Sequence, residues 1–187
     1  MTLEISPSQT VGPYLHIGLL WPDGPHAVPP GTPGAVWLRG RLLDAHGDAV
    51  PDGLIETWQA DPDGRFDHPD DPRGPVPRAD GFRGFARCPT GPAGEWAVLT
   101  LKPGRVPAGD GTLQAPHVDV SVFARGLLDR LVTRLYFADE AASNAADPVL
   151  AAVPAHRRGT LVAEPTGDGY RLDVRLQGPA ETVFFAV

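Results

Sequence analysis

A chain of 187 residues and 19.8 kDa is long enough for one well-buried core and too short for two ordinary domains. With 42% hydrophobic and 21% charged residues it has a globular composition, and no apolar run reaches the length needed to cross a bilayer. A net charge of −7 and a pI near 5.2 exclude a nucleic-acid binder built on a basic surface.

The opening MTLEISPSQT has neither the basic stretch nor the apolar stretch of an export signal. The single cysteine, Cys88, has no partner for an internal disulfide. Both features point to the cytoplasm. Between Arg87 and Pro89, Cys88 reads as a small residue rather than a reactive thiol.

Residues 8–18 precede the first strand and read as neither helix nor strand. Thr10 offers a hydroxyl, and Gly12 lets a backbone come close to a ligand. Pro13 fixes a bend, and Tyr14 adds an aromatic ring with a polar tip. Composition here fits an interface arm and, nearly as well, a frayed terminus. Residues 22–34 follow as a Pro- and Gly-rich connection.

Val36, Leu38 and Leu42 then alternate with Arg39 and Arg41, as a half-buried strand does. Weaker strand patterns cover residues 54–60, 82–88, 96–101 and 131–137. The clearest are Val118, Val120 and Val122 against Asp119 and Ser121, and Leu172, Val174 and Leu176 against Asp173 and Arg175. Turn signals at 44–47, 51–53, 61–64 and 92–94 separate them. Residues 61–81 make a loop long enough to suggest a function. One helical window runs from about Asp139 to Ala146, with Asp139 able to cap it and Pro148 ending the region. The expectation is an all-β fold, an antiparallel β-sandwich or barrel with long loops and one or two short helices. Residues 1–187 read as one domain, with an arm over about 1–18.

His117 and Asp119 stand two apart on a strand, so their side chains leave the same face. Such a pair supplies two metal ligands, and His156 is the best third ligand for an Fe(II) facial triad. A plain polar strand face explains the same pair. His16, His26, His46 and His68 lie in turn-like settings and read as exposed loop residues. No nucleophile elbow, phosphate loop or cysteine pair is present.

Taken in order, SQTVGPYLHIG (8–18), ETWQADPDG (56–64), GEWAVLTLKPG (94–104), APHVDVSVFARG (115–126), TRLYF (133–137) and LQGPAETVFF (176–185) resemble the intradiol ring-cleaving dioxygenases. These runs span nearly the whole chain. The resemblance implies a β-sandwich and, in the catalytic chains, a non-heme Fe(III) held by two tyrosines and two histidines. The positions matching those ligands here are Phe66, Val106 (after Arg105), His117 and Asp119, so one ligand position of four survives. None of Tyr14, Tyr136 and Tyr170 is placed in sequence to substitute.

The match is to the family's α chains, which hold no metal and line a substrate pocket shared with an iron-bearing β chain. The resemblance carries this pocket role onto Thr10, Gly12, Pro13, Tyr14 and Arg125. It implies protocatechuate, a catechol with a ring carboxylate, and O₂ as substrates. It also implies a homologous Fe(III)-bearing β subunit as partner, in a large αβ hetero-oligomer. Two other readings stay open at this point: a self-sufficient Fe(II) oxygenase using His117, Asp119 and His156, and a metal-free binding or assembly module.

Overall fold

The computed structural model describes residues 7–75, 78, 80–109 and 111–186. In chain order the elements are α1 (Tyr14–Gly18), β1 (Ala35–Leu43), β2 (Leu54–Trp58), β3 (Phe85–Pro89), β4 (Glu95–Leu101), β5 (Val106–Pro107), β6 (Leu113–Gln114), β7 (His117–Phe123) and β8 (Leu131–Phe137). They continue with α2 (Ala141–Ala145), α3 (Pro148–Ala152), β9 (Val162–Thr166), β10 (Gly169–Arg171) and β11 (Val174–Arg175). Two 3₁₀ segments, Ala138–Glu140 and Ala155–Leu161, flank the helices.

The strands form one sheet in the order β11-β1-β10-β9-β8-β7-β2-β3, with β4 also paired to β1, and β5–β6 is a separate hairpin. The short parallel junction of β8 with β9 divides this sheet into two leaves. Their apolar faces meet in one core: Leu38, Leu42, Trp96 and Val98 from one leaf, Ile55, Val118, Val120, Val122, Leu135 and Phe137 from the other. This is the all-β sandwich expected from the alternating patterns. The Val118/Val120/Val122 stripe is buried as its period of two requires, while Asp119 and Ser121 are half-buried opposite it.

The details differ in five places. The sheet is mixed: β1 pairs in parallel with β10 and β11, and β8 with β9. Among the described residues there are three five-residue helices rather than one or two. Residues 14–18 are helical within the arm expected to have no regular structure. Pro148 begins α3 instead of ending a helix, because Asp147 caps it through Val149 N and Leu150 N and proline suits the first helical position. Asp139 caps nothing; it bonds Lys102 and the Tyr170 hydroxyl.

The outer face of β8 is covered too. Tyr136 is buried there among Ala115, Leu150, Val153 and Leu161. Cys88 lies in the main core, where burial pushes its thiol pKa up, in keeping with a small structural residue. Among the described residues no helix is long and apolar enough to cross a membrane.

Candidate functional site

Two glycines bring the 61–66 turn and the 104–106 turn together. Gly64 has φ +72°, and a Cβ there would stand 2.0 Å from the Arg105 carbonyl oxygen. A Cβ on Gly104 would stand 2.3 Å from the Pro62 carbonyl oxygen. The Gly104 amide donates to Asp61 O at 2.9 Å. Asp61 also shapes its own turn, its Oδ1 accepting from the amides of Asp63 and Arg65, both at 2.9 Å. Gln59, buried, ties β2 to β4 through Leu101 O and the Thr100 hydroxyl.

The result is that Phe66 and Val106 share one cavity of about 510 Å³, with Trp58, His68, Asp70, Asp71, Arg73 and Pro107 among its lining residues. Phe66 stacks on Trp58 with ring centroids 5.8 Å apart and planes 10° apart. The loop beyond is locked by Asp71, which accepts from Phe66 N and from Arg73. The Arg73 side chain, then the backbone donors, holds the Asp71 carboxyl well below the usual carboxylate range.

Beside this cavity lies the outer face of β7. Asp119 is the direct cross-strand partner of Trp58 on β2 and of Arg134 on β8, and His117 is that of Tyr136. His117 is 5% exposed, and its Nδ1–H donates to Ala115 O at 2.7 Å. Burial, and behind it the Arg134 charge, lowers its imidazole pKa. Arg134 Nε donates to Asp119 Oδ1 at 2.9 Å. Tyr136 therefore does sit at this end, its ring 5.7 Å from that of His117, which sequence position alone did not indicate. Its hydroxyl donates to Asp147 Oδ1 at 3.2 Å, and burial pushes its phenol pKa up, so it is held neutral and engaged.

Tested against a ferric ion with two phenolates and two imidazoles, this end does not fit. Phe66 and Val106 have no donor atom, Asp119 is paired to a cation, and the phenol of Tyr136 is committed elsewhere. The facial triad fails as well. His156 is exposed on the 155–161 3₁₀ segment, and among the described residues no three His, Cys, Asp or Glu side chains gather to hold a metal. Of the other histidines, His46 and His68 are exposed as expected, with His68 on the cavity rim. His16 and His26 are not as expected: His26 is half-buried and packs edge-on to Trp37, and His16 lies on α1 rather than in a turn.

The opposite end of β7 is built differently. The residues around α1 reach it along β3: Trp21 stacks on Phe85, Arg87 donates to Leu19 O at 3.0 Å, and the Thr10 hydroxyl accepts from Gly126 N at 2.7 Å. Gly126 has φ +90°, which turns the chain after Arg125. The Nε of Arg125 pairs with Asp52, on the turn leading into β2. Thr10, Gly12, Pro13, Tyr14 and Arg125 all reach the surface, Tyr14 exposed by 80% and the Arg125 side chain by 64%. Nothing lies within 4 Å of a Cβ built on Gly12, so this chain itself does not require glycine there. Ile17 and Leu128 are exposed nearby in sequence.

The structure thus brings Thr10 and the Arg125 turn together, and brings Phe66 and Val106 together, but keeps the two groups apart. At a strand rise of ~3.3 Å per residue Phe123 lies roughly 13 Å from Asp119, and Arg125 lies beyond it. Sequence reasoning missed Trp58, Arg134, Tyr136 and Asp147. Trp58 lay in the ETWQADPDG run and Arg134 and Tyr136 in the TRLYF run, which were noted without a role for these side chains; Asp147 lay outside every noted motif.

Fold and site define an all-β sandwich in which, among the described residues, no three His, Cys, Asp or Glu side chains gather to hold a metal. The family model described as Dioxygenase matches residues 22–178, and the chain belongs to the intradiol ring-cleaving dioxygenases. It is 44% identical to a protocatechuate 3,4-dioxygenase alpha chain from Burkholderia cepacia, over 100% of this chain and 99% of that one. The beta chain of that name from the same organism is 33% identical over 75% of this chain and 63% of its own length. A catechol 1,2-dioxygenase from Acinetobacter sp. ADP1 superposes with a TM-score of 0.62 at 19% identity, covering 80% of this chain and 55% of that one, which speaks to the fold.

Proposed function

We propose that this chain is the α subunit of a protocatechuate 3,4-dioxygenase, holding no iron and completing the substrate pocket of a homologous β subunit that binds Fe(III). The pair would cleave protocatechuate with O₂ to 3-carboxy-cis,cis-muconate, the partner's iron supplying the oxygen chemistry. The observation behind this reading is the separation along β7. Thr10, Gly12, Pro13, Tyr14 and Arg125 lie at the end away from Phe66 and Val106, so a pocket built from them belongs to another chain. The high identity to an alpha chain, together with the lower identity to a beta chain, supports the same division of labour.

In this role Arg125 faces the ring carboxylate. Asp52 holds it in the isolated chain, and a guanidinium with five N–H donors can serve a second carboxylate at the same time. Gly12 and its neighbours offer backbone donors with no side chain in the way, and Tyr14 offers a ring and a hydroxyl. The exposed Tyr14 and Ile17 give the arm apolar surface for a partner to cover, as expected in an assembly of αβ pairs.

The test is co-expression with a homologue carrying two tyrosines and two histidines at the ligand positions. A coloured complex that cleaves protocatechuate is expected, and failure of the two chains to associate would rule the reading out. In that complex Arg125→Ala should lower kcat/KM for protocatechuate by about 10- to 100-fold, the worth of one charge-assisted hydrogen bond. Plain catechol should be affected less; an equal loss for both would remove Arg125 from the carboxylate role.

A further inference from the structure

The place where a metal's charge would stand at the Phe66 end already holds a cation. Arg134 lies directly across from Asp119 in the β7–β8 register, so its guanidinium emerges on the same outer face as His117 and Asp119. Its Nε donates to Asp119 Oδ1 at 2.9 Å, and its Nη1 to Gln114 Oε1 at 2.7 Å and Tyr136 Oη at 3.4 Å. The side chain is 20% exposed. No other cation pairs with Asp119 among the ion pairs of the described residues.

We infer that Arg134 is a built-in counter-cation that closes this end of the sandwich to metal ions, independently of the donors missing at positions 66 and 106. A metal held by His117 and Asp119 would stand a few ångströms from a guanidinium that cannot give up its proton. In these largely buried surroundings the repulsion is poorly screened. A metal on Asp119 would also have to share that carboxylate with the guanidinium, weakening an ion pair in partly buried surroundings. Loss of the tyrosines removes the means of binding iron, whereas Arg134 opposes any cation. Where the chain works beside an iron-bearing partner, as proposed above, this keeps metal to one site per pair. The role of Arg134 itself does not depend on that reading, and its test needs no partner.

The full-length chain is titrated with Co(II), followed by calorimetry and by the visible spectrum. Arg134→Gln, which keeps an N–H donor and loses the charge, should bind at least about tenfold more tightly than the wild type. Arg134→Lys, which keeps the charge, should bind as weakly as the wild type. Adding His117→Ala to Arg134→Gln should abolish the gain, locating the metal at this end. Circular dichroism checks each fold, and Arg134→Met serves if the glutamine variant does not fold. A second background grafts the ligands, Phe66→Tyr with Val106→Tyr and Asp119→His. There Fe(III) uptake should be low while Arg134 is present and at least about tenfold higher once Arg134→Gln is added. Equal metal affinity with and without Arg134, including no measurable binding in both, overturns the inference. So does a graft that takes up one Fe(III) per chain with Arg134 in place.

Discussion

The two ends of β7 treat their polar groups in opposite ways. At the Asp119 end three side chains of β7 and β8 find partners within the chain: Asp119 has Arg134, His117 has the Ala115 carbonyl, and Tyr136 has Asp147. At the Arg125 end the side chains are exposed, and the arm is tied there by the Thr10 hydroxyl on Gly126 N, while its contacts with Arg87 and Phe85 lie further along β3, towards the Asp119 end. Groups satisfied at home stabilise the fold. Groups left exposed are free to meet something else.

Substitutions at the two ends sharpen that contrast. The largest effect is expected for Asp147→Ala. This fully buried carboxylate accepts from Ala115 N, Val149 N, Leu150 N and Tyr136 Oη, and its loss should lower the stability to urea by about 4 kcal/mol. Gly64→Ala should follow at about 3 kcal/mol, because it adds a Cβ against the Arg105 carbonyl at a positive φ.

Acid provides a milder probe of the same end. Asp71 titrates below its normal range when folded, so its stabilising contribution is full above the unfolded carboxylate pKa of ~3.9 and fades as the pH falls below it. The urea midpoint of the wild type should drop as the pH falls from about 4 to about 2, and that of Asp71→Asn should drop less. Smallest of all on stability are Arg125→Ala and Gly12→Ala, each expected within about 0.5 kcal/mol of the wild type. If either unfolds the chain as readily as Gly64→Ala does, the contrast between the ends is broken.

Much of the scaffold was legible in the sequence because β7, β1 and β8 bury one face and solvate or cover the other, and period-two alternation reports that directly. The residue range of β8 was read correctly to both ends. The parallel pairing of β9 was not legible, since Glu164, Pro165 and Thr166 are exposed and form no apolar stripe. A helix of five residues in the arm is too short to show a 3.6-residue period. The Phe66 and Val106 positions emerged only through the family resemblance. The role of Arg134 escaped notice because its meaning lies in strand register, 15 positions along the chain from Asp119, and no local spacing encodes that pairing.

The interlocked turns at Gly64 and Gly104 have a consequence for how such a chain can change. Their join is made of backbone: an amide on a carbonyl, and two bare α-carbons pressed against neighbouring carbonyls. None of it calls on a phenol hydroxyl at position 66 or a phenol ring at position 106. A ring at 66 stacks on Trp58 whether or not it bears oxygen. The frame that presents metal ligands and the ligands themselves are therefore separately replaceable parts. A duplicate copy of such a chain can be relieved of its metal by changes at a few side chains while the architecture, and the surface it offers at the far end, carry on unaltered.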